Sequence, residues 1–211
     1  MHRAHGSRRS VRATASVVAL VAVWALVALA PPAHAQRSSC AAAGSRTVLN
    51  GATVRIFLSR TGKPYGCLRA TNHRTALDRF VDPFYAPFDA RIALVRLAGP
   101  VIGYTFVDPG VPVVHIRSVN LATSRYLRRA TVQPAVDQDP LAASVTSIVV
   151  SRSGGLAWIQ RLDTVVQVRR LDRRGARVLD SRPRIFTRSL RLAGGLLTWR
   201  RAGVLRRSTL L

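Results

Sequence analysis

A strand–turn–strand pattern that occurs four times constrains the fold of this chain more than any other feature. Each copy has an apolar run of strand length, a glycine-containing turn and a second run that carries a large aromatic residue. The copies occupy residues 57–66, 95–104, 149–158 and 190–199, and their aromatic residues are Tyr65, Tyr104, Trp158 and Trp199. These aromatic residues are 39, 54 and 41 positions apart, and removing the 13 residues of the loop-like stretch 131–143 shortens the long interval to 41. We expect the four aromatic residues to form the core of a repeated β-unit.

Composition also favours strands over helices. The chain has no Glu, one Lys and one Met, which removes several of the best helix formers, whereas Val, Ile and Thr are plentiful. Apolar runs bounded by Gly, Pro, Asn or Asp predict an all-β fold. The predicted strands are 54–59, 65–70, 93–97, 101–107, 113–119, 126–129, 145–151, 156–160, 165–171, 177–180, 190–192, 196–200 and 204–209.

The third copy resembles the repeat of TolB-type and WD40-like β-propellers. The resemblance is strongest over residues 145–200, and Arg152-Ser153 stands where that repeat has Pro-Asp. The matching residues are Ser151, Gly154, Ala157, Trp158, Val168, Asp172 and Gly175. The resemblance implies about four propeller-like blades, and it implies no particular activity because propellers host many functions. A β-sandwich is the alternative fold, since alternation of apolar and polar residues does not require repeats.

The length of the chain limits how such repeats are arranged. At 40 to 45 residues a blade, about four blades fit. They form either a small ring or an open array that works with a second copy or another protein. We expect Ser45–Leu49 to pair with Val204–Thr209 and close the ring, because the last copy is one strand short.

The first 35 residues have the composition of a secretory signal peptide. Arg3, Arg8, Arg9 and Arg12 precede an apolar run over residues 13–30, and Ala33 and Ala35 provide the small residues of a cleavage site. We predict cleavage after Ala35, an N-terminal segment over 36–45 and one β-repeat domain over 46–211. The predicted location is therefore outside the cytoplasm, secreted or in the periplasm or cell envelope. An uncleaved anchor, the alternative, is the only membrane association that we expect.

Cys40 and Cys67 are the only cysteines. In an exported protein such a pair is more often a disulfide than a metal or redox centre, and we expect it to tether segment 36–45 to the domain. Two free thiols are the alternative.

Residues that could support catalysis are few. His73, in a turn-like stretch, and His115, in a predicted strand, are interpreted as surface or blade histidines. Asp137 and Asp139 lack the spacing of a calcium loop, and no nucleophile or nucleotide-binding motif is present. We expect no enzyme activity, cofactor or metal. Asp163, Asp172 and Asp180 are interpreted as turn formers or partners of arginines.

The formal net charge is +24, and 32 of the 33 basic residues are Arg. Such a bias is also what GC-rich codon usage produces. Residues 182–211 have eight arginines and no acid, and a surface of this kind attracts polyanions and acidic partners. The candidate binding surface comprises Phe84, Tyr85, Arg191, Arg200, Arg201, Arg206 and Arg207.

We therefore expect a non-enzymatic, exported interaction module that binds an anionic envelope polymer or a protein. The alternative is a structural or accessory domain that works only within a larger or homo-oligomeric propeller assembly. Nucleic acid is not an expected partner, because no recognition motif or stacking platform is present.

Overall fold

The computed structural model describes residues 40, 43–77, 91–108, 113–132 and 143–211. The described residues belong to one compact unit, Ser38–Leu211, and are all-β. No helix long and apolar enough to cross a membrane occurs among them. The predicted signal peptide with Ala33 and Ala35, the Phe84–Tyr85 segment and the Asp137–Asp139 pair lie outside the described residues.

Fifteen described strands form four antiparallel sheets, in each of which neighbouring strands follow one another along the chain. Sheet 1 contains β1 (Arg46–Asn50), β2 (Val54–Leu58), β3 (Pro64–Leu68) and β4 (His73–Ala76), and sheet 2 contains β5 (Arg91–Ala98), β6 (Val101–Asp108), β7 (Val113–Asn120) and β8 (Arg125–Val132). Sheet 3 contains β9 (Ala143–Val150), β10 (Leu156–Leu162), β11 (Val165–Asp172) and β12 (Gly175–Ser181), and sheet 4 contains β13 (Arg191–Ala193), β14 (Leu196–Arg201) and β15 (Val204–Thr209). A β-sandwich would join these strands into two facing sheets, whereas the described strands form four separate sheets.

Each predicted strand overlaps a strand of the structure, which confirms the all-β prediction. Two strands differ from expectation. The stretch around His73, interpreted as a turn, is β4, because it pairs in register with β3. The predicted pairing of Ser45–Leu49 with Val204–Thr209 is wrong, since β1 pairs with β2 in sheet 1 and β15 is the edge strand next to β14. A short turn at Gly51 joins β1 to β2, and closing a short loop costs less entropy than pairing β1 with β15, which begins 154 residues after β1 ends.

Consecutive sheets pack together through apolar clusters. Sheets 1 and 2 share a cluster that contains Ile56 and Tyr104, and sheets 2 and 3 share one that contains Val101 and Trp158. A third cluster joins Ile159 of sheet 3 to Leu197 and Trp199 of sheet 4. Tyr104, Trp158 and Trp199 are all buried, as predicted for repeat-core residues. Tyr65 is half-buried and stacks on Phe57 with ring centroids 5.7 Å apart.

The predicted Cys40–Cys67 disulfide is present, and both residues are buried. It attaches the residue before sheet 1 to β3, beside Phe57. Arg55 adds a hydrogen bond to the carbonyl oxygen of Cys40 and lies over the Phe57 ring. The chain before β1 is thus tied to the face of sheet 1 that does not contact sheet 2.

Candidate functional site

A basin lies where the first strands of sheets 2, 3 and 4 end. Its volume is about 850 Å³, and it is lined by residues of three consecutive sheets. Sheet 2 contributes Arg96–Ala98, sheet 3 and its first turn contribute Val149–Arg152, and sheet 4 contributes Leu190–Leu192 with Gly194 and Gly195. The basin is therefore formed only because the sheets pack side by side.

Two of its arginines occupy equivalent positions in two repeats. The tetrapeptide Arg-Leu-Ala-Gly occurs at 96–99 and again at 191–194, in each case at the end of a first strand and the start of its turn. Arg96 Nη1 donates a hydrogen bond to the carbonyl oxygen of Val95 at 2.8 Å, and Arg191 Nη1 donates one to Leu190 at 2.8 Å. Arg191 Nη1 also donates to the carbonyl oxygen of Arg188. The same local bond thus holds both guanidinium groups at the rim of the basin.

The third arginine is placed by the tight turn between β9 and β10. Gly154 has a φ of +87°, a conformation that favours glycine. The hydroxyl of Ser151 accepts a hydrogen bond from the Gly155 amide, which stabilises this turn. Arg152 projects from it and is exposed. The turn fixes the main chain from which Arg152 lines the basin with the other two arginines.

The lining of the basin combines cationic and apolar residues. The described lining residues include three arginines and neither Asp nor Glu. Leu97, Val150, Leu190 and Leu192 also line the basin, and Leu97 is 37% exposed. Guanidinium groups present several donors in a planar fork that suits phosphate and carboxylate oxygens. The arrangement can bind an anion that has an uncharged body.

The structure does not gather the predicted arginine set on one surface. The strand register places Arg191, Arg200 and Arg207 on the face of sheet 4 that points away from sheet 3. Arg201 and Arg206 lie on the opposite face, because alternate side chains of a strand point to opposite faces. Of this set, only Arg191 lines the basin.

Arg201 has a structural partner. Its Nη1 lies 3.1 Å from Oδ1 of Asp180, and Oδ2 of Asp180 accepts a hydrogen bond from the Trp199 indole N–H at 3.0 Å. Asp172 accepts hydrogen bonds from the amides of Arg174 and Leu211. Asp163 lies between β10 and β11 with a φ of +51°. These contacts confirm the interpretation of the three aspartates as turn formers and partners of arginines.

The two histidines lie apart from the basin. His73 Nε2 is 2.8 Å from the hydroxyl oxygen of Ser124, and the His115 ring is half-buried with its centroid 6.1 Å from that of Phe106. Neither residue lines the basin. Within the described ranges, no group of three or more His, Cys, Asp or Glu side chains is placed to hold a metal ion.

Sequence reasoning missed Arg96 and Arg152. The Arg-Leu-Ala-Gly tetrapeptide was visible in the aligned repeats and could have identified Arg96 as the counterpart of Arg191. Arg152 could have been identified less directly, as a turn residue that precedes a glycine pair. What the sequence did not show was that the ends of three first strands meet.

No protein-family model matches the sequence, and the search of curated proteins gives no match. Two of the solved structures that are similar to the chain are computationally designed proteins. The crystal structure of Ika4 has a TM-score of 0.39 and 10% identity, over 76% of this chain and 87% of that protein. The crystal structure of Ika8 has a TM-score of 0.33 and 9% identity, over 76% of this chain and 57% of that protein.

Proposed function

We propose that this chain is a non-enzymatic, exported, propeller-like interaction module that binds an anionic ligand in the basin between sheets 2, 3 and 4. One observation carries the proposal: three consecutive sheets each place an arginine, Arg96, Arg152 or Arg191, at the same basin. Three cations at one site repel one another, so an anion bound between them relieves that repulsion.

The blade arrangement is supported by the way the sheets follow one another. Each is a meander of consecutive strands, and each packs on the next through residues near the repeated aromatic position. In a propeller the first strands of the blades meet around a centre, and the residues that line the basin lie on the first strands of sheets 2, 3 and 4 or directly beside them. The Cys40–Cys67 disulfide supports an oxidising, exported location.

The chemistry of the lining limits the ligand. The arginines favour several phosphate or carboxylate groups, and the leucines that line the basin with them favour a less polar linker. A volume of about 850 Å³ is within the usual range of small-ligand sites. We infer that the ligand is a segment of an anionic envelope polymer, which repeats such groups along its length.

The experiment compares binding of two probes, inorganic polyphosphate and polygalacturonate, by the chain and by a triple variant with Arg96, Arg152 and Arg191 changed to Gln. We expect the variant to bind the better probe at least about tenfold more weakly, which corresponds to about 1.4 kcal/mol. Calorimetry at two salt concentrations measures the affinity and its salt dependence.

The control is a second triple variant that loses the same charge outside the basin, with Arg60, Arg161 and Arg173 changed to Gln. All three side chains are exposed, and this variant is expected to bind almost as well as the parent. Equal losses of affinity in both variants would mean that binding depends on net charge alone, and would contradict a binding site in the basin. Affinity unchanged above about 0.5 M salt would also argue against it, because charge contacts weaken steeply with salt.

One observation favours a second function, that of an accessory domain completed by another protein. Within the described part of the chain, sheet 4 has three strands where the other sheets have four, and Phe186, Leu196 and Leu205 around it are 55%, 42% and 46% exposed. Residues 43–77, which include sheet 1, have six Lys or Arg and no acid, and residues 182–211 have eight arginines and no acid. Stacking sheet 4 of one copy on sheet 1 of another would therefore oppose two basic surfaces.

We infer from this charge distribution that such a partner is an acidic protein and not a second copy. Light scattering of the purified chain at physiological salt is then expected to give the mass of one chain. A stable dimer would instead mean that sheet 4 serves self-association.

A further inference from the structure

A second, smaller cleft lies between sheets 3 and 4, away from the basin. Its volume is about 240 Å³, and it shares no lining residue with the basin. Arg170 on β11 and Arg177 on β12 line it together with Arg207 on β15, whose side chain is on the far face of sheet 4. The remaining lining residues are Val178, Leu179, Trp199 and Ser208, so the described lining includes no carboxylate.

Arg170 is an unusual residue for such a position, because it is 7% exposed. Its Nη1 donates a hydrogen bond to the carbonyl oxygen of Thr209 at 2.8 Å and lies 3.7 Å from Oδ2 of Asp172. Its Nε is buried and has no hydrogen-bond partner within the part of the chain that the structure describes. Buried donors are nearly always satisfied, so this atom indicates a missing acceptor.

The register adds a second cation directly beside it. Arg170 of β11 is paired with Arg177 of β12, and like charges directly opposite each other on neighbouring strands are destabilising. Both side chains lie on the face of sheet 3 that packs against sheet 4, because Arg170 is also paired with Ala157 of the inter-sheet cluster. Asp172 contacts one of the two arginines and does not line the cleft. The excess positive charge therefore remains at the cleft.

We propose that this inter-sheet cleft binds a single phosphate group, as the free ion or as the end of a phosphate monoester. A tetrahedral oxyanion presents acceptors in several directions, which suits the guanidinium groups of Arg170 and Arg177 on two neighbouring strands. It supplies the acceptor that Arg170 lacks, and its charge offsets the repulsion between Arg170 and Arg177. Trp199 lines the cleft, so its indole resonance is suited to report on occupancy.

The test follows the indole N–H resonances of the purified chain by NMR during titration with inorganic phosphate and with methyl phosphate, at constant ionic strength set with chloride. We expect a saturable shift of the Trp199 resonance and a smaller effect on Trp158, which lies between sheets 2 and 3. In R177Q the affinity is expected to fall at least about fivefold.

The matched control is R174Q, which removes the same charge from an exposed residue of the neighbouring turn. It is expected to bind phosphate like the parent, as is the Arg96, Arg152 and Arg191 triple variant, so this site and the basin can fail independently. Saturable binding of inorganic phosphate alone supports a site for the free ion, and binding of both probes supports one for a terminal ester as well. A shift that does not saturate below about 20 mM of either probe, or an equal loss in R174Q and R177Q, overturns the proposal.

Discussion

Sheets 3 and 4 are copies of one sequence pattern that differ in what covers them. Aligned on Trp158 and Trp199, both sheets turn the tryptophan toward the preceding sheet and bury it there. On the opposite face, Ile159 of sheet 3 is fully buried under sheet 4, whereas Arg200, at the equivalent position of sheet 4, is exposed.

The difference shows that the place of a sheet in the series decides which of its faces must be apolar. In both sheets the face that contacts the preceding sheet is apolar, because that sheet covers it. Only sheet 3 has a described successor, and its opposite face includes Ala157, Val166 and Val168 together with Ile159. Sheet 4 has Thr198, Arg200 and Arg207 on the corresponding face together with the exposed Leu196 and Leu205, so polar and apolar residues are mixed where no described sheet covers them.

The largest expected effect comes from a pair of substitutions at the equivalent positions. Ile159→Ala is expected to lower the free energy of unfolding by about 2–5 kcal/mol, because it leaves a cavity between sheets 3 and 4. Arg200→Ala is expected to change it by no more than about 0.5 kcal/mol, because the side chain is exposed. Urea unfolding followed by circular dichroism measures both.

The pair also serves as its own control, since both substitutions truncate a strand side chain at the same position of the repeat. If Arg200→Ala were as destabilising as Ile159→Ala, the far face of sheet 4 would be covered in solution. Sheets 3 and 4 would then both be covered on two faces.

The sequence was sufficient to predict every strand but β4 and three of the four core aromatic residues, while Tyr65 is only half-buried. Alternation and turn residues depend on local spacing, so Tyr104, Trp158 and Trp199 could be placed in the core without knowing which sheets meet. The strand around His73 was missed because its residues, HRTA, are mostly polar and its pairing with β3 is decided by register. The closure of β1 on β15 was wrong because pairing depends on competition between partners, and β2 is the nearer one.

The candidate sites were less predictable than the fold. The count of eight arginines near the C-terminus correctly indicated a basic region, but strand alternation sends Arg201 and Arg206 to one face and Arg191 and Arg207 to the other. Arg96 and Arg152 lie far from that region in sequence and reach the basin only through sheet packing. Such convergence is a property of the tertiary structure.

An intermediate effect is expected at the polar contact that joins sheet 4 to sheet 3. Asp180 is 9% exposed and accepts hydrogen bonds from the Trp199 indole and from Arg201. Asp180→Ala is expected to cost about 2–3 kcal/mol, because it leaves a buried indole N–H without an acceptor and removes the partner of a cation. Urea unfolding measures the loss, and hydrogen exchange of the β13–β15 amides locates it.

Asp180→Asn separates the two contributions, since the amide oxygen can still accept from the indole while the charge is gone. It is expected to cost less than Asp180→Ala. Faster exchange throughout sheets 1 and 2, with none specific to sheet 4, would contradict a role in attaching the last sheet.

The smallest effect concerns Tyr104, the residue of sheet 2 at the position of the two tryptophans. Its hydroxyl donates a hydrogen bond to the carbonyl oxygen of Leu77 at 2.6 Å, which connects sheet 2 to the end of sheet 1. Burial raises the pKa of the Tyr104 phenol well above its ordinary value of 10.0; nearby Tyr126 raises it further and Arg117 opposes the shift. The folded chain therefore retains a proton that the unfolded chain releases near pH 10.

Stability from this group is accordingly intact below about pH 10 and is lost as the pH rises from there through the folded-state pKa. Tyr104→Phe is expected to cost about 1 kcal/mol at pH 7, where it removes one hydrogen bond. The same substitution should make the decline in stability above pH 10 shallower than in the parent, because the variant has no phenol to ionise at this position. Urea unfolding at several pH values between 7 and 11 measures both effects. Equal slopes of stability against pH in the two proteins would mean that the hydroxyl ionises in the folded state as readily as in the unfolded chain. The contact between sheets 1 and 2 would then not be a buried polar contact of the kind that attaches sheet 4 to sheet 3.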